Sequence, residues 1–386
     1  MALIRKAKSS VLLVSILVAV FVIIWLLTVH QPSETYPRLS SGMVPNSNLI
    51  TMFDGGQSNT HHVLNTKYVI YRCASFGHCG GWSDRLKGIV MAYYISMATR
   101  RKFGIDITST LCNLTSFLTP NSVQWDDARF EVARDDRPVG VYDELNNVGF
   151  ISSVKSLNFT TWLKHDVAYF VANLDYVDAL KANKAHRKEF SWMENKTRDQ
   201  VFATAYKTLF SLSASMKAEL SQFLSRAKPN ESSKLVCAQI RLFKNPSNQN
   251  DVSIERGATM PDVQKIWNFF RNFSDLTTYK IFVTSDSENV TQQARKLFPS
   301  QIMDIGGKVY HIDREPDVKS RCTGWKQVIL DQHVLMSCDV LVLTFSGVGR
   351  VSAYVRGRSE GLYCMVEHTL VKCQPSELRS LYNVYG

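Results

Sequence analysis

Between Leu235 and Val366 the sequence alternates short apolar runs with helical patterns. The runs have the length and composition of buried strands, and they lie at 235–240, 279–284, 309–312, 339–344 and 362–366. Helical patterns lie between them, at 261–273, 287–297, 325–337 and 347–356. Alternation of this kind predicts an α/β fold with a doubly wound parallel sheet.

A second strand–helix–strand unit precedes this region. A strand at 68–71, a loop with Gly80 and Gly81, a helix over 84–101 and a strand at 103–107 predict two parallel strands with a crossover helix. A helical pattern over 198–227 ends at the polar, proline-containing segment 228–233, which we take as a domain boundary. The sequence therefore predicts two Rossmann-like domains, at 67–227 and 234–386.

The N-terminal region has the pattern of a membrane anchor. A basic tail (1–10) precedes a run of 19 mostly apolar residues (11–29), and a segment rich in Pro, Ser and Asn (30–66) follows. The apolar run is longer than that of a cleaved signal peptide and ends in a poor cleavage site. We predict a cytosolic tail, a transmembrane signal anchor and a stem, hence a single-pass type II protein of the Golgi or ER membrane with a lumenal catalytic part.

Sequons and cysteines agree with a lumenal chain. Asn-x-Ser/Thr sequons, predicted to be N-glycosylated, occur at Asn113, Asn158, Asn195, Asn230, Asn272 and Asn289. All eight cysteines follow the apolar run and can form up to four disulfides. Cys364 and Cys373 flank a short loop and are the best local pair, whereas Cys237 and Cys338 lie in apolar runs and are either paired or buried thiols.

Charge and missing motifs restrict the function. The net charge of +11 suits an anionic substrate, but no basic run interleaved with aromatic residues indicates nucleic-acid binding. The sequence contains no phosphate-binding Gly-x-x-x-x-Gly-Lys-Ser/Thr loop and no Gly-x-Gly-x-x-Gly dinucleotide motif. It also lacks the Asp-x-Asp pair with which many nucleotide-sugar transferases hold a metal ion. We therefore expect no cofactor and no metal site.

Polar residues follow three strands of the predicted second sheet. Arg241 follows the first, Asp286 the second, and Thr344, Ser346, Gly347 and Arg350 follow the fourth. Ligands of open α/β sheets bind at the carboxyl ends of strands, where helix N-termini and arginine side chains favour phosphate. The pattern predicts a site for a phosphate-bearing ligand, although Asp286 could instead cap the helix that follows it.

Four short motifs resemble those of the fucosyltransferase-like superfamily, which includes α1,2-, α1,6- and protein O-fucosyltransferases. Residues 80–88 (GGWSDRLKG) resemble its Gly-Gly-x-x-Asp/Asn-Arg-Leu-x-Gly loop, and Gln239-Ile240-Arg241 resembles its His-x-Arg motif. Residues 283–286 resemble its Thr-Asp strand end, and residues 344–350 its third motif. Their order and rough spacing match over about residues 66–386.

This resemblance implies a GT-B enzyme of two Rossmann-like lobes that transfers fucose from GDP-fucose with inversion and without metal. It implies that Arg241 holds the diphosphate and Asp286 the nucleoside. Residues after the fourth strand, Thr344, Ser346, Gly347 and Arg350, would contact the phosphates or sugar, and Gly80, Gly81, Asp84 and Arg85 would face the cleft. Gln239 departs from the family's His, and Leu242 stands where α1,6 enzymes have a second Arg. Asp251, in a polar loop, is a candidate general base.

The predicted substrates are a GDP-sugar donor and a hydroxyl of a glycan or glycoprotein acceptor. Three alternatives remain: a transferase of this fold with another nucleotide sugar, a non-catalytic glycan-binding protein, and a sulfotransferase. The last would need a phosphate loop rich in Lys, Ser and Thr after its first strand, which this sequence lacks.

Overall fold

The computed structural model describes residues 66–73, 79–108, 111–132, 137–243, 257–305, 312 and 317–382. Contacts group residues 59–386 into one compact unit. In chain order its first part contains β1 (Tyr68–Arg72), α1 (Trp82–Thr99), β2 (Lys102–Asp106), β3 (Leu118–Pro120), α2 (Ala128–Val132), β4 (Val139–Glu144), α3 (Val148–Val154), α4 (Phe159–Trp162), β5 (Val167–Ala172), α5 (Val177–Lys181), α6 (Arg187–Phe190), α7 (Arg198–Leu209), β6 (Phe210–Leu212) and α8 (Ala214–Ala227). Its second part contains β7 (Lys234–Ile240), α9 (Met260–Phe270), β8 (Tyr279–Ser285), α10 (Glu288–Leu297), β9 (Ile302–Met303), α11 (Val318–Ser337), β10 (Val340–Leu343), α12 (Gly347–Arg356), β11 (Leu362–Val366), β12 (Thr369–Lys372) and α13 (Leu378–Leu381).

The first sheet is parallel, in the order β2-β1-β5-β4. The predicted pairing of the first two strands is confirmed, with Tyr68 opposite Lys102. Helix α1 packs closely against this sheet because Gly88 has no side chain. A Cβ at that position would lie 2.0 Å from the carbonyl oxygen of Ala172, the last residue of β5.

The second sheet has the order β12-β11-β10-β7-β8-β9 and is parallel apart from β12. The chain starts at β7, adds β8 and β9 on one side, and then crosses to β10 and β11 on the other. The strand order therefore reverses between β7 and β10, which is where ligands bind in open α/β sheets. The prediction of a mixed α/β fold with parallel sheets is confirmed.

Two elements differ from their predictions. The helix predicted over 198–227 is broken, because residues 210–212 form β6 and pair with β3 in a separate two-stranded sheet. A segment of three residues with apolar ends is too short to distinguish a strand from a helix, so periodicity alone did not show the break. The strand predicted at 309–312 falls mostly outside the described residues. The strand that pairs with the outer side of β8 is β9, which was not predicted.

All eight cysteines form disulfides. The predicted Cys364–Cys373 pair is confirmed, and the alternative of buried thiols at Cys237 and Cys338 is wrong because these two residues are joined. The other two bonds are Cys73–Cys79 and Cys112–Cys322. Because Cys112 follows β2 and Cys322 lies in α11, the second of these bonds fastens the first part of the chain to the second.

The two parts also share a buried aromatic cluster. The Trp82 ring lies edge-on to the Trp325 ring, with centroids 5.3 Å apart, and Trp82 Nε1 donates a hydrogen bond to Gln332 Oε1 at 2.6 Å. All three side chains are almost completely buried. Helix α1 thus touches both its own sheet and α11, and most of its surface is inaccessible to solvent. All six sequon asparagines are exposed.

The predicted localisation has to be corrected. Across the residues that the structure describes, no helix is both long and apolar enough to cross a membrane, so the single-pass type II Golgi or ER membrane protein is not supported. The predicted tail, anchor (11–29) and most of the stem lie outside those residues.

Candidate active site

The strand ends at the reversal point are tied together by Thr344. Its hydroxyl accepts a hydrogen bond from the backbone N–H of Arg241 at 2.8 Å and donates one to the carbonyl of Gln239 at 3.2 Å. Thr344 is 1% exposed. The first residues beyond β7 and β10 are therefore held in register, and Arg241 leaves the sheet at a defined point.

Asp286 fixes the same segment from the side of β8. Its Oδ1 accepts from the N–H of Leu242 at 2.8 Å, and its Oδ2 lies 3.5 Å from Arg241 Nε. Burial raises the pKa of Asp286, whereas the Arg241 guanidinium and the backbone donors lower it. The capping alternative for Asp286 is not observed, because Ser287 is the N-cap residue of α10. The structure thus brings the predicted Arg241, Asp286 and Thr344 together.

An aromatic wall flanks Arg241. The guanidinium carbon lies 4.9 Å from the centroid of the Phe243 ring, close enough for a cation–π contact. The Phe243 and Phe345 rings are 5.7 Å apart, and Phe345 meets Tyr382 edge-on at 5.8 Å. The Tyr382 hydroxyl donates to the carbonyl of Leu343 at 3.1 Å. Sequence reasoning missed this wall, although two of its members follow directly on the predicted strand ends.

Helix α12 begins at the same edge of the sheet. Ser346 is its N-cap residue, but its side chain accepts no capping hydrogen bond. A Cβ at Gly349 would lie 3.1 Å from Gln239 Oε1, so the glycine allows the first turn to approach β7. Arg350 is 8% exposed, and its charge lowers the pKa of Tyr382 against the larger effect of burial, which raises it.

The glycine loop of the first part reaches this helix. A Cβ on Gly347 would lie 2.1 Å from Ser83 Oγ, so the first turns of α1 and α12 are in contact. Asp84 accepts from the N–H of Gly81 at 3.1 Å and pairs with Lys87 at 3.0 Å. Its side chain is 38% exposed.

Arg85, unlike Asp84, is inside the protein. It is 1% exposed, and its guanidinium donates to the carbonyl of Gly80 at 3.0 Å and to the sulfur of Cys73 at 2.6 Å. Gly80 itself has a φ of +74°, which favours glycine. Arg85 therefore supports the loop that precedes α1, whereas the Asp84 side chain is partly exposed to solvent.

Two buried oxygen atoms at the strand ends lack a hydrogen-bond donor within the described residues. They are Gln239 Oε1 and Asp286 Oδ2, the latter having only its ion pair with Arg241. Buried acceptors without donors are costly, and a bound ligand that donates hydrogen bonds removes that cost. The site is thus suited to a ligand with both an anionic group and N–H or O–H donors.

Asp331 of α11 is a second buried carboxyl beside the strand end, and sequence reasoning missed it. Its oxygens accept from Thr284 Oγ1 at 2.5 Å and Gln327 Nε2 at 2.8 Å. Burial raises its pKa to about 6. Asp331 thus holds Thr284, near the end of β8 and two positions before Asp286.

Replacing Asp331 by Asn should therefore stabilise the protein at pH 8 and have little effect near pH 4. The folded-state pKa lies above the unfolded value, so the stability contributed by the protonated carboxyl is present below about pH 4 and is lost as the pH rises through about 6. The difference in unfolding free energy at pH 8 should be up to about 3 kcal/mol. Urea titrations of both proteins at pH 4, 6 and 8 measure it, and a gain that is the same at all three values would contradict the assignment.

Two predictions about this site are not tested by the geometry. Asp251 lies outside the described residues. Among the side chains that are described, no group of three or more His, Cys, Asp or Glu has the arrangement of a metal site. Metal independence stays a prediction.

The fold is similar to that of solved fucosyltransferases, as the motifs led us to expect. The NodZ α-1,6-fucosyltransferase, in a crystal soaked with GDP-fucose, superimposes with a TM-score of 0.51 at 12% identity, over 80% of this chain and 99% of that one. A mutant of Arabidopsis thaliana FUT1 in complex with GDP gives a TM-score of 0.53 at 12% identity, over 79% of this chain and 72% of that one. No protein-family model and no curated protein matches the sequence.

Proposed function

We propose that this protein is a glycosyltransferase that transfers fucose from GDP-fucose to a hydroxyl of a glycan or glycoprotein, with inversion and without a metal ion. The observation that carries the proposal is the convergence of Arg241, Asp286 and Thr344 at the reversal point of the second sheet. The similar folds of two proteins, one from a crystal soaked with GDP-fucose and one in complex with GDP, support it.

The reaction is a displacement at the anomeric carbon. The acceptor oxygen attacks this carbon, and the bond to the β-phosphate oxygen breaks with its electron pair passing to GDP. Arg241 and the N-terminus of α12 are then the positive groups that stabilise the growing charge on the diphosphate. The contact between Phe243 and the guanidinium limits the positions that the arginine can take, which favours a fixed placement of its donors.

The unpartnered acceptors favour guanine as the base. Guanine donates from a ring N–H and an exocyclic amino group, whereas uracil donates from one ring N–H. Asp286 Oδ2 and Gln239 Oε1 are buried and lack hydrogen-bond donors within the described residues, so a base with more donors is the better match.

Nucleotide-dependent thermal stability tests the proposal. The purified protein is heated with GDP, UDP or CMP, each with EDTA and with Mn²⁺. Of the three nucleotides, we expect only GDP to raise the melting temperature, and the increase should be the same with EDTA as with Mn²⁺. At about 100 times its Kd the ligand should add ~2.7 kcal/mol of stability.

The other outcomes are informative. A preference for UDP or CMP would identify another nucleotide-sugar transferase of this fold, and dependence on Mn²⁺ would contradict metal independence. No shift with any nucleotide would favour a non-catalytic glycan-binding protein. A positive result is followed by transfer of labelled fucose to a panel of glycan and glycoprotein acceptors.

A further inference from the structure

A cavity of 320 Å³ opens beside the candidate donor site, at the carboxyl ends of β10 and β11. The cavity is lined by Thr344 and Phe345, which belong to the candidate active site, and by Tyr382. Opposite elements contribute Asp262 from the first turn of α9 and His368 from the hairpin between β11 and β12. The cavity therefore adjoins the candidate active site, with which it shares Thr344 and Phe345.

The hairpin that carries His368 has an unusual backbone. Val366 pairs with Thr369, so the turn consists of Glu367 and His368, and both have positive φ, +45° and +62°. Two-residue turns of this kind prefer Asn-Gly, because a side chain in the left-handed region costs about 1–2 kcal/mol per residue. Consecutive non-glycine residues in this region often mark functional sites, where the side chain is needed.

The His368 ring is oriented by a buried carboxylate. Its Nδ1 lies 2.9 Å from Asp262 Oδ2, and Asp262 is 1% exposed. The carboxylate also accepts from the N–H and hydroxyl of Thr259, at 2.8 and 2.7 Å, which fixes its position in the first turn of α9. A carboxylate at Nδ1 selects the tautomer with the proton on that nitrogen and leaves the lone pair of Nε2 as an acceptor.

We propose that His368 is the general base of the reaction and that Asp262 is its positioning residue. The inference rests on the proposed function. As the acceptor oxygen bonds to the anomeric carbon and the diphosphate leaves, the hydroxyl proton passes to His368 Nε2. Asp262 accepts the Nδ1–H hydrogen bond and stabilises the imidazolium that forms. The cavity then holds the part of the acceptor next to the reacting hydroxyl.

The charges around the ring allow this chemistry. Besides Asp262, the neighbours are Glu367 in the same turn, Tyr382 across the cavity, and Lys265 of α9, which lies 3.8 Å from Asp262 Oδ1 and donates to the backbone carbonyl of His368. The Asp262 carboxylate contacts the ring directly, so the imidazolium has a counter-charge when it forms. The His368 side chain is 63% exposed, which leaves it accessible to an acceptor.

Substitution of His368 by Gly, with rescue by imidazole, tests the base. Glycine adopts the positive φ without strain, so the fold should be retained while the base and its volume are removed. We expect the turnover number for fucose transfer to fall roughly 100-fold or more, with the Kd of GDP unchanged. Added imidazole should restore part of the rate. The matched control is Glu367→Gly, at the neighbouring position of the same turn, whose rate should not rise with imidazole.

Combination of the two substitutions tests Asp262. Asp262→Asn should lower the turnover number of the wild type, but it should cause no further loss in the His368→Gly enzyme without imidazole, because Asp262 acts only through the ring. A purely structural role for Asp262 would lower the rate by the same factor in both backgrounds.

The outcomes separate this inference from the proposed function. If the wild type binds GDP and transfers fucose while His368→Gly has a similar turnover, or a lower one that imidazole does not raise, His368 is not the base. If the wild type neither binds GDP nor transfers fucose, the proposed function itself fails, and the general-base role fails with it.

Discussion

Replacement of Arg241 by Ala should lower the rate of fucose transfer at least about 100-fold, the typical loss for one charge-stabilising donor. The guanidinium stands at the end of β7, between Asp286 and the Phe243 ring, and its side chain is 28% exposed. It is therefore accessible to a diphosphate and held by two neighbours. The substitution also leaves the buried Asp286 without its counter-charge. The measurements are the transfer rate, the Kd of GDP and the melting temperature.

Two further variants control this prediction. Arg241→Lys keeps the charge but lacks the forked donors, so its rate should lie between those of the wild type and the Ala variant. Arg187→Ala removes an arginine whose side chain is 83% exposed and whose Nε lies 3.7 Å from Glu194 Oε1. This substitution should leave transfer unchanged. Transfer by a folded Arg241→Ala enzyme at nearly the wild-type rate would remove Arg241 from the mechanism.

Loss of the Cys112–Cys322 disulfide should be the largest stability change among the four bonds. The two cysteines are 210 positions apart, so the bond removes much of the conformational entropy of the unfolded chain. The chain-entropy relation gives about 5 kcal/mol for a loop of this length. The double variant Cys112→Ala/Cys322→Ala should therefore unfold at a much lower urea concentration than the wild type. Tertiary contacts at Trp82 should be lost in the same transition, because α1 and α11 meet there.

The bond between Cys364 and Cys373 is the matched control. Its two cysteines are 9 positions apart in the sequence. The same relation therefore gives a loss of between about 2 and 3 kcal/mol when this bond is removed. Denaturation of both double variants under the same oxidising conditions compares the two. An equal or larger loss for the Cys364→Ala/Cys373→Ala protein would show that the long bond does not fasten the two parts of the chain.

The strands and their ends were the predictable part of this structure. Apolar runs bounded by turn residues identified β7, β8, β10 and β11, and the rule that ligands bind beyond parallel strands singled out Arg241, Asp286 and Thr344. The strand order alone brings these residues together, because the carboxyl ends of neighbouring parallel strands lie side by side. Their proximity can therefore be predicted without knowledge of side-chain packing.

The remaining features depend on contacts between distant positions. The pairing of Cys237 with Cys338 becomes evident only once β7 is known to lie beside β10. In the same way, Asp262 and His368 are 106 positions apart and meet because α9 packs over the β11–β12 hairpin. In the sequence Asp262 lies at the start of the helical pattern over 261–273, and nothing in its local pattern indicates a histidine partner.

The contact between the first turns of α1 and α12 has an electrostatic consequence. Each helix carries about half a positive elementary charge at its N-terminus, so the two ends repel where Ser83 meets Gly347. Asp84 offsets this in the first turn of α1, but the first turn of α12 contains no acidic residue. A diphosphate bound there would act as a shared counterion for both helices. Donor binding would then tighten the joint between the two parts of the chain as well as fill the site.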